Sequence, residues 1–203
     1  MIKKEKDMKI RNWIALTVLL LFTLACGLIQ TPQAKEDNIE KEIRCEECGY
    51  TFKIIPGYES SPGIISGSHN LDSKGMFDDP DFVVGEGPQI LLYGVVPDTG
   101  ITFEKFVKNG NNDMKSRLNA TISGEPQITV AGLVGAAFDY DYELAGAGKM
   151  KARDISVEVN SGQFFMIQCR STTEKWDKTL AACEAVINSI TFFEPVPSPT
   201  EIP

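Results

Sequence analysis

Histidine is nearly absent from this chain, since His69 is the only one in 203 residues. A single histidine leaves few general bases for nucleophilic catalysis, and the sequence also lacks a Gly-x-Ser-x-Gly nucleophile elbow and a glycine-rich phosphate loop. His69 stands in a polar run with Ser66, Ser68 and Asn70, which predicts an exposed loop residue rather than a catalytic one. We therefore expect no enzyme activity and no cofactor.

Basic residues are fewer than acidic ones: the chain has 20 Lys and Arg against 28 Asp and Glu, and its formal net charge is -8. The first 25 residues carry five basic and two acidic side chains, so the chain from Cys26 onward has a formal charge of -11. Its basic residues are scattered and form no stripe. Such a surface repels phosphate backbones, which argues against nucleic acid as a partner.

The N-terminus has the three parts of a secretory signal: basic residues between Lys3 and Arg11, an apolar run over residues 14–25, and then Cys26. Met8 could open a shorter version of the same signal. Residues 23–26 (TLAC) resemble the bacterial lipobox, whose cysteine is diacylated and becomes the new N-terminus. The resemblance implies a signal peptide at residues 1–25 and a palmitate-type lipid on Cys26. An uncleaved apolar helix over residues 13–29 is the alternative, at the lower limit for spanning a bilayer.

Either anchor places the rest of the chain on the extracytoplasmic side of the cell membrane. We expect residues 26–44 to form a tether. From residue 30 this segment is polar and charged and has no apolar periodicity, which is typical of a tether. Residues 195–203 belong to a proline-rich stretch that can continue neither a helix nor a central strand, and we expect a disordered tail. One compact domain at 45–194 lies between them, since no repeat of 20–50 residues is visible.

Hydrophobic periodicity predicts the elements of this domain. Strands are expected at 50–54, near 63–68, and at 89–96, 127–130, 134–143, 151–159, 163–170 and 190–193, with helices at 101–118 and 174–188. Residues 58–88 are rich in Gly, Ser, Pro and Asp, which predicts a long irregular connection. The fold class is therefore α+β, an antiparallel sheet of about six strands flanked by two main helices.

Three segments carry a resemblance to a known family: residues 49–58 (GYTFKIIPGY), residues 130–135 (VAGLVG) and residues 188–193 (NSITFF). Together with the order of elements they resemble the PsbP-like sandwich of photosystem accessory proteins, Mog-type import factors and LpqN-type lipoproteins. Members of this kind are mostly non-enzymatic accessory or binding proteins. The resemblance implies interaction with a protein or a small ligand and supplies no catalytic residue.

Four cysteines remain if Cys26 is lipidated: Cys45, Cys48, Cys169 and Cys183. An even number in an oxidising compartment predicts disulfides. Cys169 shares a strand face with apolar residues and Cys183 lies on the apolar face of the last predicted helix, so we expect these two to pair. Cys45 would then pair with Cys48, although free thiols or cross-pairing between the two sets stay open.

Residues 44–50 (RCEECGY) also look like one knuckle of a rubredoxin or zinc ribbon, which makes Cys45 and Cys48 weak candidates for metal ligands. A tetrahedral site needs four ligands, and no second Cys-x2-Cys is present. A thiol–disulfide role for the same pair is a further alternative, although a redox Cys-x-x-Cys normally opens a helix and this one precedes a strand.

Carboxylates alternate with tyrosines along one predicted strand, at Asp139, Asp141 and Glu143. No glycine-containing calcium loop accompanies them, so we expect a solvated outer face of the sheet. The function favoured by the whole sequence is a membrane-anchored binding module that uses the 58–88 connection or a sheet edge. A redox or metal protein and a mainly structural envelope component are the alternatives.

Overall fold

A computed structural model describes residues 41–63, 67–74, 87–97 and 99–195. The signal segment 1–25, Cys26, most of the tether and residues 196–203 lie outside the described residues. In chain order, the elements within the described ranges are β1 Glu42–Cys45, β2 Tyr50–Lys53, β3 Tyr58–Pro62, β4 His69–Ser73, β5 Gln89–Val95, α1 Phe103–Leu118, β6 Thr121–Gly124, β7 Ile128–Val130, β8 Leu133–Leu144, β9 Gly148–Asn160, β10 Gln163–Thr172, a 3-10 turn Thr173–Lys175, α2 Trp176–Ser189 and β11 Thr191–Phe192. No helix in these ranges is both long enough and apolar enough to cross a membrane.

The strands form two antiparallel sheets. The large sheet has the order β3-β4-β5-β10-β9-β8-β6, with β7 also paired to β8, and the small sheet has the order β1-β2-β11. The long central strands of the large sheet, β8, β9 and β10, are joined as consecutive hairpins. Ile167 of β10 is paired with Ile155 of β9, which is paired in turn with Ala137 of β8. Ala131 and Gly132 both have positive φ at the β7–β8 turn, as a type I′ hairpin requires.

Alternation along the central strands gives the large sheet two different faces. Phe165, Ile167 and Cys169 of β10 belong to the apolar core together with residues of the small sheet and of α2. The core members with no exposed surface are Tyr50, Phe52, Leu71, Ile90, Leu92, Val130, Ile155, Val157, Ile167, Cys169, Cys183 and Val186. The alternate residues of β10, such as Phe164, point to the opposite face, which lies under α1.

The α+β class is confirmed, but the sheet content is larger than the six strands expected. Residues 58–88 were expected to be irregular except for a strand near 63–68. In the described part of this segment that is wrong, because the strands are β3 and β4 on either side of 63–68, where they form a hairpin and carry the buried residues Leu71 and Asp72. Residues 64–66 and 75–86 lie outside the described residues. The glycine and serine content of this segment gives it a weak local strand preference, and the pairing of β3 with β4 and of β4 with β5 stabilises the strands. The strand β6, at Thr121–Gly124, was also missed.

Two boundaries differ from those expected. Strand β1 begins at Glu42, inside the segment 26–44 assigned to the tether, because Ile43 pairs with Phe52 and packs against the core. Helix α1, expected at 101–118, begins at Phe103, ends at Leu118 and runs unbroken through residues 109–112 (NGNN). The hydroxyl of Thr102 caps its start by accepting from the Lys105 amide at 3.3 Å, and Asn119 ends it in the left-handed conformation.

Candidate ligand-binding cleft

Helix α1 contacts the large sheet near its start and near its middle, and space remains beneath it. The rings of Phe103 and Phe106 pack on Phe164 of β10, with centroids 5.4 and 4.8 Å apart. Further along the helix, Asn111 accepts a hydrogen bond from the hydroxyl of Tyr140 on β8. None of the 16 residues of α1 is fully buried, so the helix covers the sheet without sealing it.

The space beneath α1 consists of two adjoining chambers, which together we call the cleft. The aromatic chamber has a volume of about 310 Å³ and is lined by Tyr93, Phe106, Val107, Asn109, Gly110, Asn111, Asp113, Met114, Phe138, Asp154, Ser156, Met166 and Gln168. The arginine chamber has a volume of about 250 Å³ and is lined by Asp113, Met114, Arg117, Leu118, Tyr142, Ala152, Asp154, Gln168 and Arg170. The aromatic chamber is at the lower end of the volume range of small-ligand sites, and the arginine chamber shares four lining residues with it.

Asp154 lies on the floor of both chambers, at the centre of the large sheet. Only 9% of this residue is exposed, and its Oδ2 accepts a hydrogen bond of 3.3 Å from the side-chain amide of Gln168, directly opposite on β10. Burial raises the pKa of Asp154 from 3.8 to about 6, although the Gln168 hydrogen bond and the Arg170 charge partly oppose it. The cleft therefore holds a carboxylate that is poorly compensated when ionised.

Tyrosines surround this carboxylate. Burial and, to a smaller extent, the Asp154 charge raise the pKa of Tyr93 to about 12. The same two causes, with burial first, raise the pKa of Tyr140, whereas the pKa of Tyr142 is raised mainly by burial and lowered in part by Arg170. All three phenols are therefore neutral at physiological pH and can act as hydrogen-bond donors or as aromatic surfaces.

Arg170 is held at the mouth of the arginine chamber by a relay that reaches strand β4. Its Nε and Nη2 donate to Gln89 Oε1 at 2.9 and 2.7 Å, and Gln89 Nε2 donates to Asp72 Oδ1 at 2.9 Å. Asp72 is buried, so the relay anchors an exposed guanidinium to the interior of the sheet. Arg170 is directed towards Gln89 by these bonds, and no ion pair within the described residues engages Asp154.

The predicted cysteine pairs lie away from the cleft. Cys169 of β10 is bonded to Cys183 of α2, with 6.1 Å between their Cα atoms, and we call this the sheet–helix bridge. Cys45 is bonded to Cys48 across the β1–β2 turn, with 5.2 Å between Cα atoms, and we call this the hairpin bridge. These are the two pairs that the sequence favoured. Gly67 of the β3–β4 turn packs on the hairpin bridge, where an added Cβ would lie 2.5 Å from the Cys48 sulfur.

The metal and redox alternatives concern the hairpin bridge. Because the two sulfurs are bonded to each other, they are not thiolates that could ligate a metal. Within the described ranges, no three His, Cys, Asp or Glu side chains converge on a point where a metal ion could bind. A redox role for the hairpin bridge stays a prediction, which thiol titration with and without reductant would test.

Two other expectations were only partly right. His69 was expected in an exposed loop, but it lies on β4, half-buried with its ring 6.1 Å from Tyr50 and 5.5 Å from Phe52, because the small sheet covers that face. Burial lowers the pKa of His69. Two of the three carboxylates expected to be solvated on β8 form cross-strand ion pairs. Asp139 accepts two hydrogen bonds from Arg153, at 2.6 and 2.9 Å, and Asp141 lies 3.4 Å from the Lys151 ammonium.

The cleft residues were missed by the sequence argument, although one signal was present. Asp154, Ser156 and Gln168 are polar residues within two strands that are otherwise dominated by buried apolar side chains. A carboxylate in a central strand is costly unless something compensates it, so its position was a marker of a site. Which element faced it could not be predicted, because α1 is distant from it in the sequence.

No protein-family model matches the sequence, and neither does any curated protein. Solved structures do match. LpqN of Mycobacterium tuberculosis superposes with a TM-score of 0.58 at 14% identity, over 78% of this chain and 94% of that one. Cyanobacterial PsbP (CyanoP) from Synechocystis superposes with a TM-score of 0.53 at 14% identity, over 75% of this chain and 92% of that one. The fold is PsbP-like.

The PsbP-like resemblance drawn from residues 49–58, 130–135 and 188–193 is thus confirmed at the level of the fold. The yeast Ran-binding protein Mog1p is a weaker match, with a TM-score of 0.47 at 10% identity over 75% of this chain and 94% of that one. At these identities a shared fold carries no site residue across. The function of this PsbP-like domain has to be argued from its own cleft.

Proposed function

We propose that this chain is an extracytoplasmic lipoprotein, anchored through Cys26, whose PsbP-like domain is a non-enzymatic binding module with its ligand site in the cleft beneath α1. The observation that carries the proposal is the pair of chambers of about 310 and 250 Å³ with the buried Asp154 on their common floor. Pockets that combine apolar walls with a few convergent polar groups are the usual form of small-ligand sites.

Binding fits the cleft better than catalysis does. Asp154 could donate or accept a proton near neutral pH, but the described residues lining the two chambers include no serine–histidine or cysteine–histidine pair that it could assist. His69 is in contact with the small sheet, on the opposite face of the large sheet. A lone acid in an aromatic pocket is suited to orient a ligand.

The extracytoplasmic part of the proposal is supported by the export signal at residues 1–25 and by two disulfides, which persist in oxidising compartments. LpqN is described as involved in cell envelope biogenesis, and an envelope role for this chain agrees with that. Lipid anchorage of Cys26 is expected to keep the domain at the membrane surface, with residues 26–41 as the spacer.

The anchor is tested by the intact mass of the protein extracted from its native host and by fractionation of a Cys26→Ser variant. We expect a diacylglyceryl-modified chain that begins at Cys26 and stays with the membrane fraction. Cys26→Ser should lose that modification and its signal-peptidase cleavage. A wild-type mass that includes residues 1–25 would replace the lipid with an uncleaved helix.

The ligand site is tested by methyl NMR of the full chain in mild detergent, with 13C-labelled methionine. Met114 and Met166 line the cleft, Met150 is buried outside it, and Met76 belongs to the 58–88 connection. A library of small polar and aromatic molecules should shift the Met114 and Met166 signals and leave Met150 in place. Shifts confined to Met76 would move the site to the 58–88 connection and refute the cleft.

A deletion of residues 60–86 is unsuitable as a test of that connection. It would remove β4 and most of β3, including Leu71 with no exposed surface and the Asp72 end of the Arg170 relay. Loss of binding in such a variant would therefore report loss of the sheet. The methionine signals locate the ligand without removing any part of the fold.

A further inference from the structure

The two chambers of the cleft differ in charge. Arg117 and Arg170 line the arginine chamber, whereas the residues lining the aromatic chamber include two carboxylates, Asp113 and Asp154, and no Lys, Arg or His. Asp113 is exposed and lies 3.2 Å from Arg117, so its charge is balanced from outside the aromatic chamber. Asp154 is therefore the charge that dominates the interior of the aromatic chamber.

Aromatic and thioether groups form much of the remaining wall. Tyr93 of β5, Phe106 of α1 and Phe138 of β8 line the chamber from three different elements, and the side chains of Met114 and Met166 line it as well. The face of an aromatic ring attracts a cation, and the attraction is stronger where water is excluded. Three rings around one carboxylate favour a ligand that is both positively charged and partly apolar.

The negative charge of ionised Asp154 is only weakly stabilised by groups within the protein. Its hydrogen-bond donor is the neutral amide of Gln168 at 3.3 Å, and burial favours the neutral acid. A bound cation would supply the opposite charge and relieve that cost, whereas a neutral or anionic ligand would not. The aromatic chamber is thus selective by charge as well as by shape.

We propose that the aromatic chamber binds a small organic cation, a quaternary ammonium or a protonated amine, with its charge against the Asp154 carboxylate and its alkyl groups against Tyr93, Phe106 and Phe138. This inference rests on the proposed function, because it names the ligand class of the same cleft. A volume of about 310 Å³ accommodates a molecule of roughly five to ten heavy atoms.

Binding should depend on pH through Asp154. The charged and titratable groups that face it from the neighbouring elements are Arg170 on β10, Tyr93 on β5, Tyr140 and Tyr142 on β8, and Asp113 and Arg117 on α1. The tyrosines, whose pKa values are raised by burial, stay neutral between pH 5 and 8. Asp154, with a pKa of about 6, changes its charge within that range.

The test uses two cations with matched neutral analogues: choline with 3,3-dimethylbutan-1-ol, and 3-methylbutylammonium with 3-methylbutan-1-ol. Affinity is measured by calorimetry on the full chain in mild detergent, and the site by the Met114 and Met166 methyl signals. We expect the cations to bind about tenfold more tightly at pH 8 than at pH 5, because only about one Asp154 in ten is ionised at the lower pH. The alcohols should bind more weakly and without this pH dependence.

Two variants complete the experiment. Asp154→Asn keeps the shape and the Gln168 contact but removes the charge, so it should weaken cation binding at pH 8 by at least about tenfold and abolish the pH dependence. Asp141→Asn is the control, because Asp141 pairs with Lys151 outside the lining of the cleft, and it should bind as wild type does. Retained cooperative unfolding shows that both variants are folded.

The outcomes separate this inference from the function on which it rests. If the alcohols shift Met114 and Met166 and bind as tightly as the cations, the cleft is a ligand site but the preference for a cation is refuted. If Asp154→Asn binds the cations as wild type does, the assigned role of Asp154 is refuted. If neither cation binds at millimolar concentration while other ligands shift Met114 and Met166, the ligand class is wrong and the proposed function stands.

Discussion

Replacing Asp154 by Asn should make this protein more stable at neutral pH, although the carboxylate is buried and hydrogen-bonded. The pKa of Asp154 rises from 3.8 to about 6 on folding, and each pKa unit corresponds to about 1.4 kcal/mol. Ionising this one group therefore lowers the free energy of unfolding by about 3 kcal/mol. Asparagine has nearly the same shape, can still accept from Gln168, and does not ionise.

The sign of the pH dependence follows from the direction of the shift. The folded-state pKa lies above the unfolded one, so the protonated acid stabilises the fold, fully below about pH 3.8 and progressively less as the pH rises through about 6. In the Asp154→Asn variant this position does not ionise, so it causes no loss of stability as the pH rises. The gap in stability between variant and wild type should therefore widen by about 2 kcal/mol between about pH 4 and about pH 8.

Urea denaturation of both proteins at about pH 4 and about pH 8 measures this gap. All other titrating groups are shared, so their contributions cancel when the gap at one pH is subtracted from the gap at the other. Asp141→Asn, on an exposed carboxylate beside Lys151, controls for the loss of any one negative charge. The reasoning is refuted if the Asp154→Asn gap is equal at the two pH values, or if the variant is the less stable protein at pH 8.

Four further variants test the packing and the cross-links of the fold. Gly110→Ala should stabilise α1 by about 0.5–1 kcal/mol, because a Cβ there meets nothing within 4 Å, as measured by thermal or urea unfolding. Gly135→Ala should instead destabilise by about 1–3 kcal/mol in the same assay, because its Cβ would lie 2.8 Å from a Val157 methyl carbon. Replacing both cysteines of the sheet–helix bridge, which closes a sequence separation of 14, should cost about 3 kcal/mol. The hairpin bridge closes a separation of only 3, so its removal should cost less; equal losses would contradict the loop-closure argument.

The fold could be predicted from the sequence wherever one strand face or one helix face is consistently apolar. The alternation in β9 and β10 and the helical spacing of Trp176, Cys183 and Ile187 carry that signal, and these elements lie within a few residues of their predicted bounds. Strand β10 pairs with β5 on one side and with β9 on the other, and this pairing agrees with the strand preference of its own sequence. The class and the main order of elements followed from these segments.

The remaining strands could not be predicted because their stability is not local. Strand β3, with the sequence YESSP, has weak intrinsic strand preference and exists because it pairs with β4, which in turn pairs with β5. The 109–112 segment shows the reverse case, since the local preference is against a helix and the contact of Asn111 with Tyr140 favours one. Tertiary contacts outweigh local preference in both places.

The two faces of the large sheet differ in packing, and most of the apolar burial that stabilises the domain is on one of them. One face is sealed by α2, the small sheet and the sheet–helix bridge, and residues such as Ile155 and Ile167 have no exposed surface there. The other face carries Asp154 under a helix that buries none of its residues completely. A carboxylate that weakens the fold when ionised is tolerated only because the sealed face offsets it. Filling the cleft with apolar residues should therefore raise stability and remove the buried carboxylate that the cleft presents to a ligand.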